Sequence, residues 1–132
     1  MVNGSETVLL VDDEEIVVGV GKQMLEKLGY SVLIARSGQE AVDVYKNRPD
    51  DVDLVLLDMI MPGMEAGDTY DKLKSINPAI KVLLSSGYSL DQKAGAIIDR
   101  GCNGFIQKPF RLDELSQKIR VILNPPKPLS PS

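Results

Sequence analysis

The feature that most constrains the fold is an alternation of five short apolar runs with longer amphipathic stretches. Each run has the length of a strand, and the stretches between them repeat their apolar residues at helical spacing. Repeated strand and helix units of this kind predict an α/β fold with a parallel sheet. The predicted strands are residues 7–11, 31–35, 52–57, 80–85 and 103–107, and the second and fifth are expected near an edge because they are shorter or less uniformly apolar.

Five helices are predicted to follow these strands. The second begins after the N-cap Ser37, with Glu40 at the capping-box position, and ends before Pro49. The third is predicted over about 66–76 and the fourth over about 89–100. The fifth carries an apolar stripe from Leu112 to Ile122. The apolar residues of the first helix recur at helical spacing and are Ile16, Val17, Val20, Met24, Leu25 and Leu28.

The length of the chain, 132 residues, fits one domain with an ordinary core. We expect residues 1–5 to be disordered or added by cloning, 6–123 to form the domain, and 124–132 to be a proline-rich tail or linker stub. A net charge of −4 argues against direct binding to nucleic acid, and no apolar stretch is long enough for membrane insertion. The single cysteine suits a reducing cytoplasm.

The chain contains no histidine. Its absence excludes Ser-His-Asp and Cys-His catalysis, histidine metal ligands and a phosphohistidine carried by this chain. The chemistry that remains is that of carboxylates, lysine, hydroxyls and the backbone.

Acidic, hydroxyl and lysine residues stand at the carboxyl ends of four predicted strands. Sheets of this class bind ligands at that edge. Carboxylates and a backbone carbonyl suit Mg²⁺, which bridges carboxylate to phosphate. A carboxylate there can attack phosphorus, while a lysine and a hydroxyl stabilise the phosphate oxygens. The residues are Asp12 and Asp13 after the first strand, Asp58 after the third, Ser85 and Ser86 after the fourth, and Lys108 after the fifth.

Four segments, "LLVDDEE", "LVLLDMIMPGM", "VLLSSGY" and "GFIQKPF", resemble the successive signatures of response-regulator receiver domains over about residues 6–123. The resemblance implies a flavodoxin-like fold with strand order 2-1-3-4-5 and a phosphoryl group taken by Asp58 from a histidine kinase or histidine phosphotransfer domain. It implies Mg²⁺ or Mn²⁺ as cofactor and bacterial, cytoplasmic two-component signalling. The implied metal ligands are Asp13, Asp58, the backbone carbonyl of Ile60 and, through water, Asp12. The family's characteristic lysine corresponds to Lys108, which precedes Pro109.

Two serines compete for the position of the family's switch hydroxyl. Ser86 is chosen because a small residue, Gly87, follows it and because it lies 22 positions before Lys108, the family's usual interval. Phe105 then occupies the position of the switch aromatic. In the family, phosphorylation draws the hydroxyl inward, the aromatic follows, and the surface of the fourth helix, fifth strand and fifth helix changes for an output partner.

The sequence departs from the family pattern at three positions. Receivers often have an acidic residue and a glycine just after the methionine of the third loop, whereas here Met64 is followed by "EAG" and Gly67 stands one place later. Ile60 and Tyr88, two residues beyond Asp58 and Ser86, are poorly suited to orient an attacking water, so self-dephosphorylation is expected to be slow.

Two other functions compete with the receiver interpretation. A Mg²⁺-dependent phosphohydrolase with an aspartate nucleophile would carry a second Asp where Ile60 stands, which disfavours it. A pseudo-receiver that only binds partners usually lacks one of the acids or the lysine, whereas this chain has all of them. The residues of the later motifs resemble those of hybrid sensor kinases, which favours a receiver from such a kinase slightly over a stand-alone regulator. We expect the protein to be a monomer or a weak phosphorylation-dependent dimer.

Overall fold

The computed structural model describes residues 6–61, 63–87 and 92–124. In these ranges five strands alternate with five helices. The strands are β1 (Thr7–Val11), β2 (Ser31–Ala35), β3 (Leu54–Asp58), β4 (Val82–Ser86) and β5 (Gly104–Gln107). The helices are α1 (Glu15–Lys27), α2 (Gly38–Asn47), α3 (Ala66–Ile76), α4 (Gln92–Asp99) and α5 (Leu112–Leu123). The expectations for residues 1–5, Tyr88 and 125–132 lie outside the described residues.

The strands form one parallel sheet in the order β2-β1-β3-β4-β5. This is the predicted order, and β2 and β5 are the edge strands as expected. All five carboxyl ends therefore meet at one edge of the sheet. The chain order reverses between β1 and β3, which is where sheets of this class leave a crevice for a ligand.

Each face of the sheet has its own apolar core. The three central strands, β1, β3 and β4, are buried on both faces, so their side chains alternate between the two cores. On one face, Val55 and Leu57 of β3 pack with residues of α2, α3 and α4. On the other face, Leu54 and Leu56 pack with residues of α1 and α5. This alternation also sets the direction of the polar side chains at the strand ends.

Strands β3 and β4 begin two residues later and end one residue later than predicted, and β5 begins one residue later. Val52 and Ile80, predicted as strand residues, are buried in the turns that lead into β3 and β4. Their apolar character reflects that burial and not strand pairing, which explains the error. As a result Asp58 and Ser86 are the last residues of their strands, where the sheet holds their backbone.

The predicted apolar face of the first helix is partly wrong. Ile16 is 82% exposed and Val20 is 43% exposed, whereas Val18, Gly21 and Leu25 face the core. The helix turns this way because Gly21 lets it approach β1: a Cβ at Gly21 would lie 3.1 Å from Cδ2 of Leu10. The exposed residues thus form an apolar strip on the outer side of α1.

The other helices agree with their predictions. Ser37 caps α2 by accepting a hydrogen bond from the backbone N–H of Glu40 (3.0 Å), and α3 has the predicted bounds. The predicted residues 89–91 of the fourth helix lie outside the described residues, and that helix ends one residue earlier than predicted. No helix in the described ranges combines the length and the hydropathy that crossing a membrane requires.

Candidate functional site

Two buried carboxylates and one lysine meet at the carboxyl edge of the sheet. Asp12 is 1% exposed and Asp58 is 2% exposed. The Lys108 Nζ atom lies 2.6 Å from Oδ2 of Asp12 and 3.1 Å from Oδ1 of Asp58. Burying two acids together is costly unless a cation is near. Lys108 supplies one positive charge for the two carboxylates.

The backbone fixes each of these three residues. The N–H of Asp12 donates to the carbonyl of Ala35 (3.1 Å), and the N–H of Lys108 donates to the carbonyl of Ser86 (2.7 Å). Asp58 pairs in register with Ser85 at the end of β3. The Lys108–Pro109 peptide bond is cis. The site is therefore carried by the ends of β1 and β3 and by the residue that follows β5.

The pKa values of Asp58 and Lys108 reflect the burial and the charges of this site. Burial raises the pKa of Asp58 to about 6, and the nearby Asp12 adds to the rise although Lys108 opposes it. Burial alone would lower the pKa of Lys108, but the hydrogen bond to Asp12 and the charge of Asp58 outweigh burial and raise that pKa. A further cation at the site would lower the free energy of the ionised carboxylates.

The site has the ligands that a divalent cation needs. One carboxylate oxygen from each of Asp12, Asp13 and Asp58 lies within 4.8 Å of the others. Oδ2 of Asp58 is buried and has no hydrogen-bond partner in the described ranges. Asp13, in contrast to the other two, is exposed and so faces the entrance. An all-oxygen cluster with one open side suits Mg²⁺, which keeps several waters.

The two serines of β4 differ in the face of the sheet that they occupy. Ser85 pairs with Asp58 and shares its face, on the side of α1 and α5. Ser86 lies on the other face, two residues beyond Leu84, which pairs in register with Phe105. Both serines are buried, and Ser86 also lines a cavity under α4. Ser86 and Phe105 thus share the face that leads from the site to α4.

Ile60 lies at the mouth of the site. Its side chain is 58% exposed, and its N–H points to Oδ1 of Asp58 at 3.4 Å. This places an apolar side chain two residues after the buried carboxylate. No polar side chain stands at this position to bind a water.

Sequence reasoning missed two features that border the site. The sequence did not predict the exposure of Ile16 and Val20, because α1 is apolar around much of its circumference. Gly21 is the one residue of the pattern that indicates the buried side of this helix. The cavity under α4 has a volume of about 470 Å³ and is lined by the β3–α3 loop, α3 and α4. It depends on how helices pack, and no local sequence signal marks it.

The sequence and the fold were then compared with known proteins. The family model for the response regulator receiver domain matches residues 8–120. The sensor kinase CckA of Brucella abortus is 36% identical over 121 residues, which cover 92% of this chain and 13% of that protein. The chain spans between 13% and 48% of the length of the first curated relatives that it matches.

Solved structures show the same fold. A receiver domain protein from Clostridium thermocellum superposes with a TM-score of 0.85 at 28% identity, covering 90% of this chain and 94% of that one. The CheX–CheY–BeF3–Mg²⁺ complex from Borrelia burgdorferi gives a TM-score of 0.84 at 27% identity, covering 89% and 88%. The match of the family model over most of the chain, on a sheet with this strand order and acidic edge, shows that the chain belongs to the response regulator receiver domain family.

Proposed function

We propose that Asp58 is the phosphoacceptor of this receiver domain and that the phosphoryl group comes from a histidine kinase or histidine phosphotransfer domain. The observation that carries the proposal is the pairing of buried Asp58 with Lys108 at 3.1 Å beside two further acids. A carboxylate in this setting is a nucleophile held next to a cation that can neutralise the incoming phosphate.

The transfer is a single displacement at phosphorus. An oxygen of Asp58 forms the new P–O bond while the P–N bond of the donor phosphohistidine breaks. The electron pair of that bond stays on the imidazole nitrogen of the donor. Lys108 donates to an oxygen of the transferred group, and the Ser86 hydroxyl donates to another.

We infer that Asp13, Asp58 and the backbone carbonyl of Ile60 hold Mg²⁺, or Mn²⁺ in its place, and that Asp12 acts through a bound water. When bound, the ion would neutralise the acids and the phosphate oxygens. The partner-free Oδ2 of Asp58 and the clustered carboxylate oxygens support this assignment. In the solved Borrelia complex, Mg²⁺ is present together with BeF3.

Acetyl phosphate and Mg²⁺ test the proposal directly. We expect intact-protein mass spectrometry to show one phosphoryl adduct on the wild-type chain and none on Asp58→Asn. Asp13→Asn should require a much higher Mg²⁺ concentration for the same yield, and exposed Asp50→Asn should behave as wild type. Continuous phosphate release would instead indicate a phosphohydrolase. A wild-type chain that takes no label would indicate a pseudo-receiver.

We further propose that the donor domain docks on the apolar strip of α1. Ile16 and Val20 are separated by one helical turn, and Ile16 is only three residues from Asp13. Two large apolar residues exposed on adjacent turns beside the site support an interaction surface there. A helical donor could cover them while it presents its phosphohistidine to Asp58.

Comparing transfer from a phosphorylated kinase domain with labelling by acetyl phosphate distinguishes an effect on docking from an effect on the chemical step. Ile16→Asp should slow transfer from a cognate phosphorylated kinase domain at least tenfold, because it places a charge in the interface. It should leave labelling by acetyl phosphate unchanged, since that small donor needs no docking surface. Equal rates of kinase transfer to the variant and the wild type would contradict this surface.

The output surface and the molecular context are further proposals. A groove between β5 and α5 is lined by Phe105 and by Val121, which is 50% exposed, and it supports output through α4, β5 and α5. The similarity to a sensor kinase favours a receiver of a bacterial hybrid kinase that acts in the cytoplasm. We propose a monomer, or a weak dimer that depends on phosphorylation.

A further inference from the structure

The cavity under α4 is mostly apolar and open to solvent. It has a volume of about 470 Å³, and exposed Ala96 lies on its rim. Its inner surface is formed by half-buried Met59 and Met61 together with buried Ala66 and Ile97. Methionine side chains adapt to the shape of what they contact. The cavity suits a small ligand with an apolar group, because ligand sites are mostly apolar and measure roughly 300–1,000 Å³.

The absence of a side chain at Gly67 widens the cavity. Gly67 lies in the first turn of α3 and lines the space between the two helices. A Cβ there would lie 3.5 Å from Nη1 of Arg100 and 3.9 Å from Cγ1 of Ile97, which are ordinary contact distances. An alanine would therefore fit without displacing either side chain, whereas a leucine would fill space that the cavity now leaves open.

Two walls of the cavity each carry one charged side chain without a partner. Glu65, at the N-cap of α3, and Lys93, in the first turn of α4, both line the cavity and are exposed. Within the described residues neither side chain forms an ion pair or a hydrogen bond, whether with the other or with a third residue. Arg100 also lines the cavity, but its Nη1 is already paired with Oδ2 of Asp71 at 3.0 Å. The cavity therefore offers a ligand one anion and one cation.

We propose that the cavity under α4 binds a small zwitterion with an apolar group, of the class of the apolar α-amino acids. The ammonium of the ligand pairs with Glu65 and its carboxylate with Lys93, while its side chain lies on the two methionines and Ile97. A ligand with only a carboxylate would be repelled by Glu65, and a ligand with only an ammonium would be repelled by Lys93. The inference goes beyond the proposed function and does not depend on it, since it uses none of the residues that accept or stabilise the phosphoryl group.

Methionine methyl resonances test the site in the metal-free, unphosphorylated protein. The chain has five methionines, and Met24 of α1, which packs on the other face of the sheet, is an internal reference. We expect L-phenylalanine to shift the ε-methyl resonances of Met59 and Met61 saturably and to leave that of Met24 unchanged. N-acetylphenylalanine, an anion, and phenylalaninamide, a cation, should each bind with a dissociation constant about threefold higher, as expected when one exposed ion pair is lost.

Matched variants separate charge recognition from a change in the fold. Glu65→Gln should abolish the preference for phenylalanine over N-acetylphenylalanine, and Lys93→Gln should abolish the preference over phenylalaninamide. Gly67→Leu should remove the saturable shift, while Gly67→Ala should bind as the wild type does. Urea unfolding shows whether each variant is folded, and the two glutamine variants test the site even where Gly67→Leu does not fold.

Three results would overturn the proposed site. They are equal affinities for the zwitterion, the anion and the cation, shifts that do not saturate, and tighter binding of N-acetylphenylalaninamide. The last compound imitates a phenylalanine inside a chain, so its preference would assign the cavity to a protein segment instead. Because the titration uses neither Mg²⁺ nor a phosphoryl donor, these results leave the phosphoacceptor assignment to be judged by labelling with acetyl phosphate.

Discussion

The ammonium group of Lys108 lies 3.1 Å from Oδ1 of Asp58, in a site where Asp58 is 2% exposed. Asp58 is the last residue of β3 and Lys108 follows β5, and these two strands are separated in the sheet by β4. Because the lysine also lies 2.6 Å from Asp12, a single cation serves two buried carboxylates. The site therefore holds one more buried negative charge than Lys108 can neutralise, and replacing either Lys108 or Asp58 should change its stability.

Replacing Lys108 with methionine should weaken both stability and phosphorylation. Without Mg²⁺, the loss of the paired cation leaves buried carboxylates uncompensated, and we expect a decrease of about 1–3 kcal/mol in the free energy of unfolding at pH 8. The rate of labelling by acetyl phosphate should fall about 100-fold, as when one charge-stabilising donor is lost. Urea unfolding and mass spectrometry measure the two effects. Exposed Lys72→Met is the control, and a Lys108→Met protein labelled at the wild-type rate would contradict the role of the lysine.

Replacing Asp58 with asparagine should stabilise the metal-free protein at high pH. The folded-state pKa of Asp58, about 6, lies above its ordinary value of 3.8, so the folded protein binds more protons between these values. Stability contributed by the protonated carboxyl is therefore present below pH 4 and is lost as the pH rises through 6. The neutral amide avoids that loss, and we expect a gain of about 1–2 kcal/mol at pH 8 that shrinks below pH 5.

The pH dependence is measured by urea unfolding in the presence of a chelator at pH 4, 5, 6 and 8. Exposed Asp50→Asn serves as the matched control and should show no gain that grows with pH. An Asp58→Asn protein that is less stable than the wild type at pH 8 would show that the pairing with Lys108 outweighs burial.

Much of the site followed from the sequence because strand ends are encoded locally. A run such as Val55 to Leu57 must be buried on both faces, and in a parallel sheet the residue at its end has to lie at the shared carboxyl edge. For that reason Asp12, Asp58 and Lys108 could be placed together before any coordinates were known. The strand boundaries were less accurate, since Val52 and Ile80 are apolar for burial in turns.

The parts that could not be predicted depend on helix packing. The apolar residues of α1 fit more than one rotation of the helix, and the close approach of Gly21 to Leu10 decides which side is buried. Likewise, Arg100 and Lys74 look like ordinary surface cations in sequence. Their contacts, from Lys74 to the carbonyl of Arg100 and from Arg100 to Asp71, form only when α3 and the turn after α4 come together, which no local pattern encodes.

Ser86 and Ser85 should be separable by their effects on Phe105. Ser86 shares a face with Phe105, while Ser85 shares the face of Asp58. The chain has only two phenylalanines, so fluorophenylalanine labelling gives two resonances, and buried Phe110 is an internal reference. On loading with beryllofluoride and Mg²⁺, the Phe105 resonance should shift in the wild type and in Ser85→Ala. It should stay in Ser86→Ala, whose labelling by acetyl phosphate should fall about tenfold. The opposite result would assign the switch hydroxyl to Ser85.

The phosphoryl group on Asp58 should be lost slowly because of Ile60. Hydrolysis needs a water aligned with the phosphorus, and the apolar side chain that stands 58% exposed at the mouth of the site can hold none. Ile60→Asn supplies an amide that binds water, and we expect it to speed the loss roughly tenfold, while Ile60→Leu should leave the rate unchanged. The measurement is the decay of the adduct after removal of acetyl phosphate, with Mg²⁺ present. Rapid loss from the wild-type protein would show that another group orients the water, and an unchanged rate in Ile60→Asn would show that water access is set elsewhere in the site.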